Sequence, residues 1–385
     1  MRLHERLDAL RRSPHLLYRL LTEGRYDFCY DQMRISERGM AWRKRANLIM
    51  SGLNLLYRRL RPWSMPLHMQ FELANYCNLR CPICPAGTRE LVRPPQTMDP
   101  ELFRRVMGEV GPYLLTVSLW GWGESLLNSA LHEILCAARR HDTAILLSTN
   151  GQYLDRDDII DALITCPPTH LILAIDGLTD ETNSRFRIGA RLEPALKGVR
   201  RIAEIKKRTD QILPVLHMRF MVMKHNQHEL PDTEAFAAAH GFDMLSLRTL
   251  VIFDSASAQQ AHSRLVPEAS DYSAYRYRGD RRIQRSDYVC MQPFWFPSLY
   301  ADGTLVACEQ DVNAQAELGS VLGGVTLTDL WRSRRSLQVR RTVREDPESL
   351  SFCRNCPARD RPFTDTSVRA LMLNPKIPNP LTIGR

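Results

Sequence analysis

The feature that most constrains the fold is a regular alternation of short apolar runs with longer amphipathic stretches between residues 67 and 250. The short runs have the length and composition of buried strands, and the longer stretches have the spacing of helices. The six candidate strands are 67–73, 114–120, 144–149, 170–176, 215–223 and 243–250. Strands that alternate with helices in this order predict a parallel sheet with right-handed crossovers.

The clearest helix of this region begins at Asp99-Pro100, where Asp is a favoured N-cap and Pro a favoured first helical residue. Apolar residues then recur on one face of the predicted helix. They are Leu102, Phe103, Val106, Met107 and Val110.

Changes of pattern predict the domain organisation. Residues 254–289 lose the apolar rhythm and are rich in Ser, Ala, Arg and Tyr, which predicts a linker. The predicted units are a basic helical extension at 1–65, a barrel domain at 66–253, this linker, a small cysteine domain at 290–365 and a tail at 366–385.

The net charge of +9 is concentrated at the start of the chain, where residues 1–65 carry 14 Arg or Lys against 6 Asp or Glu. This segment could bind an anionic membrane surface or an acidic partner. It could also be a helical cap on the barrel with its arginines in water, which we favour because charge runs are usually solvated. The remainder is nearly neutral, and we expect no nucleic acid partner.

No run of about 18 apolar residues occurs, and the first twenty residues are too polar for a secretory signal, so we expect a cytoplasmic protein. In a reducing compartment its ten cysteines argue for metal ligation and against disulfides. Cys29, Cys136 and Cys166 are isolated, and the other seven are clustered or regularly placed.

The first cysteine group, Cys77, Cys81 and Cys84, has the spacing C-x3-C-x2-C directly after the first strand. Pro82 and Pro85 disfavour helix, so the group should lie on a loop. Three thiolates can hold three irons of a [4Fe–4S] cluster and leave the fourth iron open. The alternative is zinc, but structural zinc sites use four protein ligands and this loop offers no fourth.

A C-x3-C-x2-C loop after the first strand of a β/α repeat resembles the signature of the radical SAM superfamily. The resemblance implies a partial (β/α)6 TIM-type barrel in which the open iron chelates S-adenosylmethionine. It also implies reductive cleavage of that cofactor to a 5′-deoxyadenosyl radical, with electrons from a flavodoxin or ferredoxin-type donor.

The resemblance extends to three strand ends that would contact S-adenosylmethionine. Trp120 to Ser125 (WGWGES) resembles the Gly-Gly-Glu-Pro motif and places Glu124 at the ammonium group, with Trp122 and Ser125 as departures. Ser148 and Asn150 follow the third strand, and Arg187 follows the fourth at the register of a carboxylate-binding arginine. The alternatives are a solvated carboxylate, an ordinary Asn-Gly turn and a surface arginine.

The second cysteine set, Cys290, Cys308, Cys353 and Cys356, has the spacing C-x17-C-x44-C-x2-C. Four thiolates can complete one further [4Fe–4S] cluster, and a four-thiolate zinc site is equally credible chemically. The spacing resembles the Twitch domain, a short relative of the SPASM domain, and most closely that of 2-deoxy-scyllo-inosamine dehydrogenase. We therefore expect two [4Fe–4S] clusters in all.

The sequence thus predicts an α/β protein with a partial barrel, an N-terminal helical extension and a small C-terminal α+β iron–sulfur domain. The expected function is radical oxidation of an alcohol or amine carbon in a small polar substrate, such as a sugar or aminocyclitol. Radical epimerisation and peptide maturation on the same scaffold stay open, as does a non-catalytic iron–sulfur electron carrier.

Overall fold

The computed structural model describes residues 14–252, 264–268, 270–273, 275, 277–278, 281–283, 289–354, 356–359 and 367–384. After a π-helical turn at Arg19–Glu23, its strands are β1 (Tyr26–Tyr30), β2 (Met33–Glu37), β3 (His68–Phe71), β4 (Thr116–Leu119), β5 (Ala144–Thr149), β6 (His170–Ala174), β7 (Val215–Val222), β8 (Met244–Thr249), β9 (Tyr277–Arg278), β10 (Arg281–Arg282), β11 (Ser298–Leu299), β12 (Thr304–Val306), β13 (Gly319–Ser320), β14 (Ser367–Met372) and β15 (Leu381–Ile383). Its helices are α1 (Trp42–Leu56), α2 (Pro100–Val110), α3 (Leu131–Arg139), α4 (Asp157–Thr165), α5 (Asp180–Phe186), α6 (Leu192–Thr209), α7 (Thr233–Ala239), α8 (Gln292–Trp295), α9 (Leu327–Arg332), α10 (Arg334–Glu345) and α11 (Ser351–Arg354).

The main sheet has ten strands in the order β13-β12-β11-β3-β4-β5-β6-β7-β8-β14. Strands β3 to β8 are the six predicted strands, and they pair in parallel in chain order. Within the described residues β3 and β8 do not pair with each other, because β11 flanks one and β14 the other. The predicted α/β fold with a partial, open barrel is confirmed.

Helix α2 packs on this sheet with the face that the sequence predicted. In α2 the Asp99 carboxylate accepts hydrogen bonds from the N–H groups of Glu101 (2.6 Å) and Leu102 (3.1 Å), so Asp99 is the N-cap. All five apolar residues of the predicted face are buried. Phe103 meets Phe71 of β3 edge to face, with the ring centroids 4.7 Å apart, and this contact fixes the helix against the strand.

The expectation that residues 1–65 are helical is wrong for residues 26–37. Strands β1 and β2 form an antiparallel hairpin whose tip, Asp31 and Gln32, has φ of +45° and +63°. Met33 packs with Val215 and Met244, the first residues of β7 and β8. The hairpin therefore closes the end of the barrel at which the strands begin.

The expected tail at 366–385 is also wrong, because its described residues pair with both sheets. Strand β14 runs antiparallel to β8, and β15 runs parallel to β2 of the hairpin. The end of the chain thus links the barrel to its N-terminal cap. No helix in the described part of the chain is long and apolar enough to cross a membrane.

The C-terminal cysteine domain continues the barrel sheet. Strand β11 lies parallel to β3, and β11 and β12 form an antiparallel hairpin, in which the Thr304 N–H donates to the Asp302 carboxylate (2.9 Å). Much of the predicted linker lies outside the described residues. One of its described residues, the buried Leu265, packs against Leu79 and Phe186 beside the first cysteine loop.

Candidate active site

The loop after β3 carries the first cysteine group, Cys77, Cys81 and Cys84. It consists of turns without helix, as the two prolines predicted. Asn75 fixes its start, since its side chain donates to the Pro94 carbonyl (2.7 Å) and accepts from the Gln96 N–H (2.7 Å).

The loop after β4 packs directly against this cysteine loop. The Glu124 N–H donates to the Tyr76 carbonyl (2.9 Å), one residue before the first cysteine. A Cβ atom on Gly123 would overlap the carbonyl oxygens of Ala74 and Tyr76. Glycine is therefore required there for the two loops to meet.

Burial is the largest influence on the acidity of two thiols of this loop, Cys77 and Cys81. Burial raises the pKa of the Cys77 thiol to about 12, and the nearby thiols of Cys84 and Cys81 push it in the same direction, against a hydrogen bond from the Leu79 N–H. Burial also raises the pKa of Cys81, against the attraction of Arg187. Cys77 and Cys81 therefore keep their protons near neutral pH unless bound metal takes the place of the proton.

The thiols of the two predicted cysteine sets are not as close together as the ligands of a single zinc ion. Among the described residues, the one trio of His, Cys, Asp or Glu whose ligand atoms all lie within 4.8 Å of one another is His132, Cys136 and Cys166. Thiolates on one zinc ion would lie about 4 Å apart. In neither predicted cysteine set do three sulfurs all lie within 4.8 Å of one another.

Glu124 is buried where the loops after β4 and β5 meet. Its carboxylate accepts hydrogen bonds from the Thr149 hydroxyl (2.6 Å), the Asn150 N–H (2.8 Å) and the Leu126 N–H (3.0 Å). Burial raises the pKa of this carboxyl, while those three donors lower it. Glu124 is thus a brace between two loops as well as a residue of the cavity wall.

Asn150 joins the loop after β5 to the cysteine loop. Its side-chain amide donates to the Asn78 side chain (2.8 Å) and lies 3.6 Å from the Cys77 sulfur. Ser148 lies two residues earlier, at the carboxyl end of β5, and lines the same cavity. Sequence reasoning missed the role of Thr149, which an alternating strand pattern does not distinguish from its neighbours.

Arg187 is held by Asp176 at the end of the β6 segment, with Nε 2.6 Å from the carboxylate. Burial alone would lower the pKa of Arg187, but Asp176 and the Cys81 thiol raise it, so the guanidinium stays charged. Asp176 also accepts from the Met221 N–H (2.7 Å). The predicted arginine therefore lies beside the cysteine loop, paired with a buried carboxylate while its own side chain is partly exposed.

These groups surround one cavity of about 350 Å³ at the carboxyl ends of the strands. Its volume is within the range of small-molecule sites. All seven residues predicted for the first site line this cavity, namely Cys77, Cys81, Cys84, Glu124, Ser148, Asn150 and Arg187.

The inner wall of the cavity carries two arginines that the sequence analysis missed, Arg219 of β7 and Arg248 of β8. Both pair with the buried Asp31, at 2.6 Å from Arg219 Nε and 3.6 Å from Arg248 Nη1. Arg219 also donates to the Tyr30 hydroxyl. The tip of the N-terminal hairpin thus positions cationic groups at the base of the cavity.

The second cysteine set also gathers in space. Cys290, Cys353 and Cys356 line a space of about 70 Å³. Burial raises the pKa of Cys308 well above its usual value, and the thiols of Cys356 and Cys290 act in the same direction. Cys290 and Cys356 are 66 positions apart in the sequence, yet the fold brings the four thiols close together.

Two contacts fasten this second set to the cavity. The Trp122 indole N–H donates to the carbonyl of Glu309 (2.8 Å), which follows Cys308. Arg93 forms a bidentate pair with Glu72 (2.7 Å to each oxygen) and donates to the Val312 carbonyl (3.0 Å). The tryptophan that departs from the family motif thus holds the second cysteine loop in place.

The expectation of no disulfides is contradicted for one pair. Cys136 of α3 and Cys166, next to α4, are bonded, with their Cα atoms 5.1 Å apart. Packing of the two helices brings the two cysteines together. The sequence did not predict this pair because the cysteines are 30 positions apart. His132 lies 3.5 Å from the Cys136 sulfur.

Comparisons with known proteins agree with this geometry. The family model described as the radical SAM superfamily matches residues 71–237. One curated relative is Fe-coproporphyrin III synthase of Methanosarcina barkeri (strain Fusaro / DSM 804), which is 24% identical over 164 residues. That match covers 42% of this chain and 38% of the relative, so it spans well under half of each protein.

Several solved structures share the fold at low sequence identity. BtrN in complex with AdoMet and 2-DOIA superposes with a TM-score of 0.50 at 15% identity, over 80% of this chain and 99% of that one. SuiB of Streptococcus suis gives a TM-score of 0.58 at 14% identity, over 90% and 82%. Native anSMEcpe with bound AdoMet gives 0.50 at 15% identity, over 76% and 88%.

Proposed function

We propose that this chain, whose residues 71–237 match the radical SAM superfamily, is a radical SAM enzyme that cleaves S-adenosylmethionine reductively to a 5′-deoxyadenosyl radical. The radical takes a hydrogen atom from a substrate in the cavity. Loss of one further electron and one proton then converts an alcohol or amine carbon to its oxidised form. The observation that carries the proposal is the convergence of all seven predicted residues on one cavity.

Cys77, Cys81 and Cys84 would hold a [4Fe–4S] cluster, which would supply the electron and an open iron. The residues of this chain hold the cofactor around it. Arg187, kept charged by Asp176, is suited to pair with the methionine carboxylate. Glu124 faces the same cavity and is suited to accept a hydrogen bond from the methionine ammonium.

A second cluster on Cys290, Cys308, Cys353 and Cys356 would accept the electron that leaves the substrate radical. The support is the proximity of the four thiols and their connection to the cavity wall through Trp122. A flavodoxin or ferredoxin-type protein would supply the first electron. Such clusters suit the reducing cytoplasm, where we place the enzyme.

The cavity wall favours oxidation over epimerisation by a cysteine hydrogen donor. Among the described residues that line it, the cysteines are the three of the first loop, which the cluster uses. The substrate we propose is small and polar, of the sugar or aminocyclitol kind. The guanidinium groups of Arg219 and Arg248 favour one that also carries a phosphate or carboxylate.

The test is anaerobic reduction of the reconstituted protein with dithionite in the presence of S-adenosylmethionine, followed by quantification of 5′-deoxyadenosine and methionine. The wild type should form both. Simultaneous substitution of Cys77, Cys81 and Cys84 by Ala should abolish them, and Cys29→Ala, at an exposed cysteine of β1, should not. Cleavage by the triple variant, or none by the wild type, would overturn the proposal.

A further inference from the structure

Helix α1 buries mostly polar side chains and exposes apolar ones. Its buried residues are Lys44, Asn47, Leu48, Ser51 and Asn54, and of these only Leu48 is apolar and packs in a small core cluster. The exposed residues include Trp42 (72% exposed), Leu53 (36%) and Leu56 (40%), which lie near one another on the helical wheel.

Hydrogen bonds fix this orientation. Lys44 forms a buried pair with Glu37 (2.6 Å). The Asn47 side chain accepts from the Met65 N–H (2.7 Å), and the Asn54 side chain donates to the Ser64 hydroxyl (2.7 Å). Turning the helix to bury its apolar face would leave these polar groups without partners. The outward apolar face is therefore specified by the sequence.

The residues around α1 extend the apolar face. Arg45 donates to the Leu21 carbonyl (3.1 Å), which ties the preceding helical segment to α1. Nine of the 17 large apolar side chains exposed in the described part of the chain lie between residues 16 and 63. They are Leu16, Leu17, Tyr18, Leu21, Trp42, Leu53, Leu56, Tyr57 and Trp63. We call these nine residues, together with the arginines of the same segment, the apolar-basic surface.

The charge of this region indicates what covers the surface. Residues 1–65 carry eight more basic than acidic residues, and Arg43, Arg58 and Arg61 are exposed there. Arg59 stacks on the Trp63 ring at 4.0 Å. A second copy of the chain would bring the same positive charge, so self-association is disfavoured. Arginines beside exposed Trp, Tyr and Leu match an interface between anionic headgroups and acyl chains.

We propose that the apolar-basic surface binds an anionic lipid bilayer and holds the protein on it as a peripheral enzyme. The Asn47 side chain contacts the Tyr113 carbonyl (3.3 Å) and Lys44 the Asp142 carbonyl, just before β4 and β5 begin. The surface thus lies at the end where the barrel strands start. The cavity lies at the opposite end and stays open to water when the surface is on the membrane.

The test is co-sedimentation of the reconstituted full-length protein with vesicles of phosphatidylcholine alone or with a quarter of phosphatidylglycerol. The wild type should bind the anionic vesicles and lose binding as salt is raised. Substituting Trp42, Leu53 and Leu56 together by Glu should weaken the partition coefficient about tenfold or more. The matched control, Ile212, Leu322 and Val325 changed to Glu, removes exposed apolar residues elsewhere and should bind as wild type.

Three outcomes would overturn the proposal. They are equal sedimentation with neutral and anionic vesicles, equal loss in the control variant, and a concentration-dependent dimer of the wild type that the α1 variant abolishes. Melting temperature and 5′-deoxyadenosine yield of both variants should match the wild type, because all six positions are exposed and lie outside the cavity. The outcome is independent of whether the proposed reaction is correct.

Discussion

Asp31 is the residue on which the base of the cavity depends. Burial would raise its pKa, but Arg219, Arg248 and other nearby groups hold the pKa well below its usual range. Asp31→Asn leaves the arginines without this carboxylate, and breaking such a buried pair costs about 3–5 kcal/mol. Chemical unfolding followed by tryptophan fluorescence should show that loss at pH 7.

The pH dependence of the Asp31 effect has a definite sign. Since the carboxyl has a lower pKa in the folded protein, its stabilisation is fully present above the unfolded pKa of about 4 and declines progressively as the pH falls from there towards the pKa of the folded state. The stability gap between wild type and Asp31→Asn should therefore narrow towards pH 3. Asp161→Asn, at an exposed position of α4, serves as control. A gap that is constant with pH would contradict the assigned ionisation.

Substitution of Glu124 tests whether this residue of the cavity wall also stabilises the fold. In Glu124→Gln an amide N–H₂ replaces one oxygen and faces a donor, either the Asn150 N–H or the pair of Leu126 and Thr149. One unmade buried hydrogen bond costs about 1–3 kcal/mol. We expect a lower melting temperature and a large fall in 5′-deoxyadenosine yield. The control Glu133→Gln, on the exposed face of α3, should change neither the melting temperature nor the yield. A Glu124→Gln variant with the melting temperature of the wild type would contradict the role of Glu124 in joining the two loops.

Among the elements, β15 shows how the end of the chain stabilises its beginning. Leu381 is buried against Met33 of the hairpin, and Thr382 beside it is exposed. Leu381→Ala should destabilise the protein by about 2–5 kcal/mol, and Thr382→Ala by less than about 1 kcal/mol. Thermal melts of the two variants measure the difference. Equal effects would mean that β15 does not hold the cap.

The hairpin β11–β12 presents Cys308 to the second thiol cluster. Cys308→Ala should lower the iron content from about eight to about four per chain, because one of the two proposed cubanes would be lost. The first loop takes no ligand from this set, so 5′-deoxyadenosine should still form. Iron analysis and the cleavage assay test these two expectations, with Cys29→Ala as control. Unchanged iron, or loss of cleavage in a folded variant, would contradict the division between the two sites.

At the scale of the whole molecule, the sequence predicted what depends on local pattern. The six barrel strands and the Asp99 cap follow from periodicity and side-chain chemistry in one stretch of chain. The β1–β2 hairpin was missed because Asp31 and Gln32, without Gly or Asn, adopt the positive φ of its turn. The pairing of β14 with β8 and of β15 with β2 was not predicted, because each joins residues more than 100 positions apart in the sequence.

The residues of the candidate site likewise divide into those that local sequence pattern predicted and those that depend on long-range packing. Its cysteines, Glu124 and Arg187 lie at strand ends, where motif and fold coincide. Arg219 and Arg248 lie within strands and read as ordinary alternating residues, and their relation to Asp31 exists only after the hairpin has docked. Which face of α1 turns outward was likewise decided by hydrogen bonds to distant backbone groups.

The central claim is that the cavity binds S-adenosylmethionine at a cluster held by Cys77, Cys81 and Cys84. The most direct measurement is electron paramagnetic resonance of the dithionite-reduced Cys308→Ala protein, which should hold the first cluster alone, with and without S-adenosylmethionine. We predict that the cofactor changes the cluster signal, because it binds the open iron. A full iron complement whose signal is identical with and without S-adenosylmethionine would contradict the account.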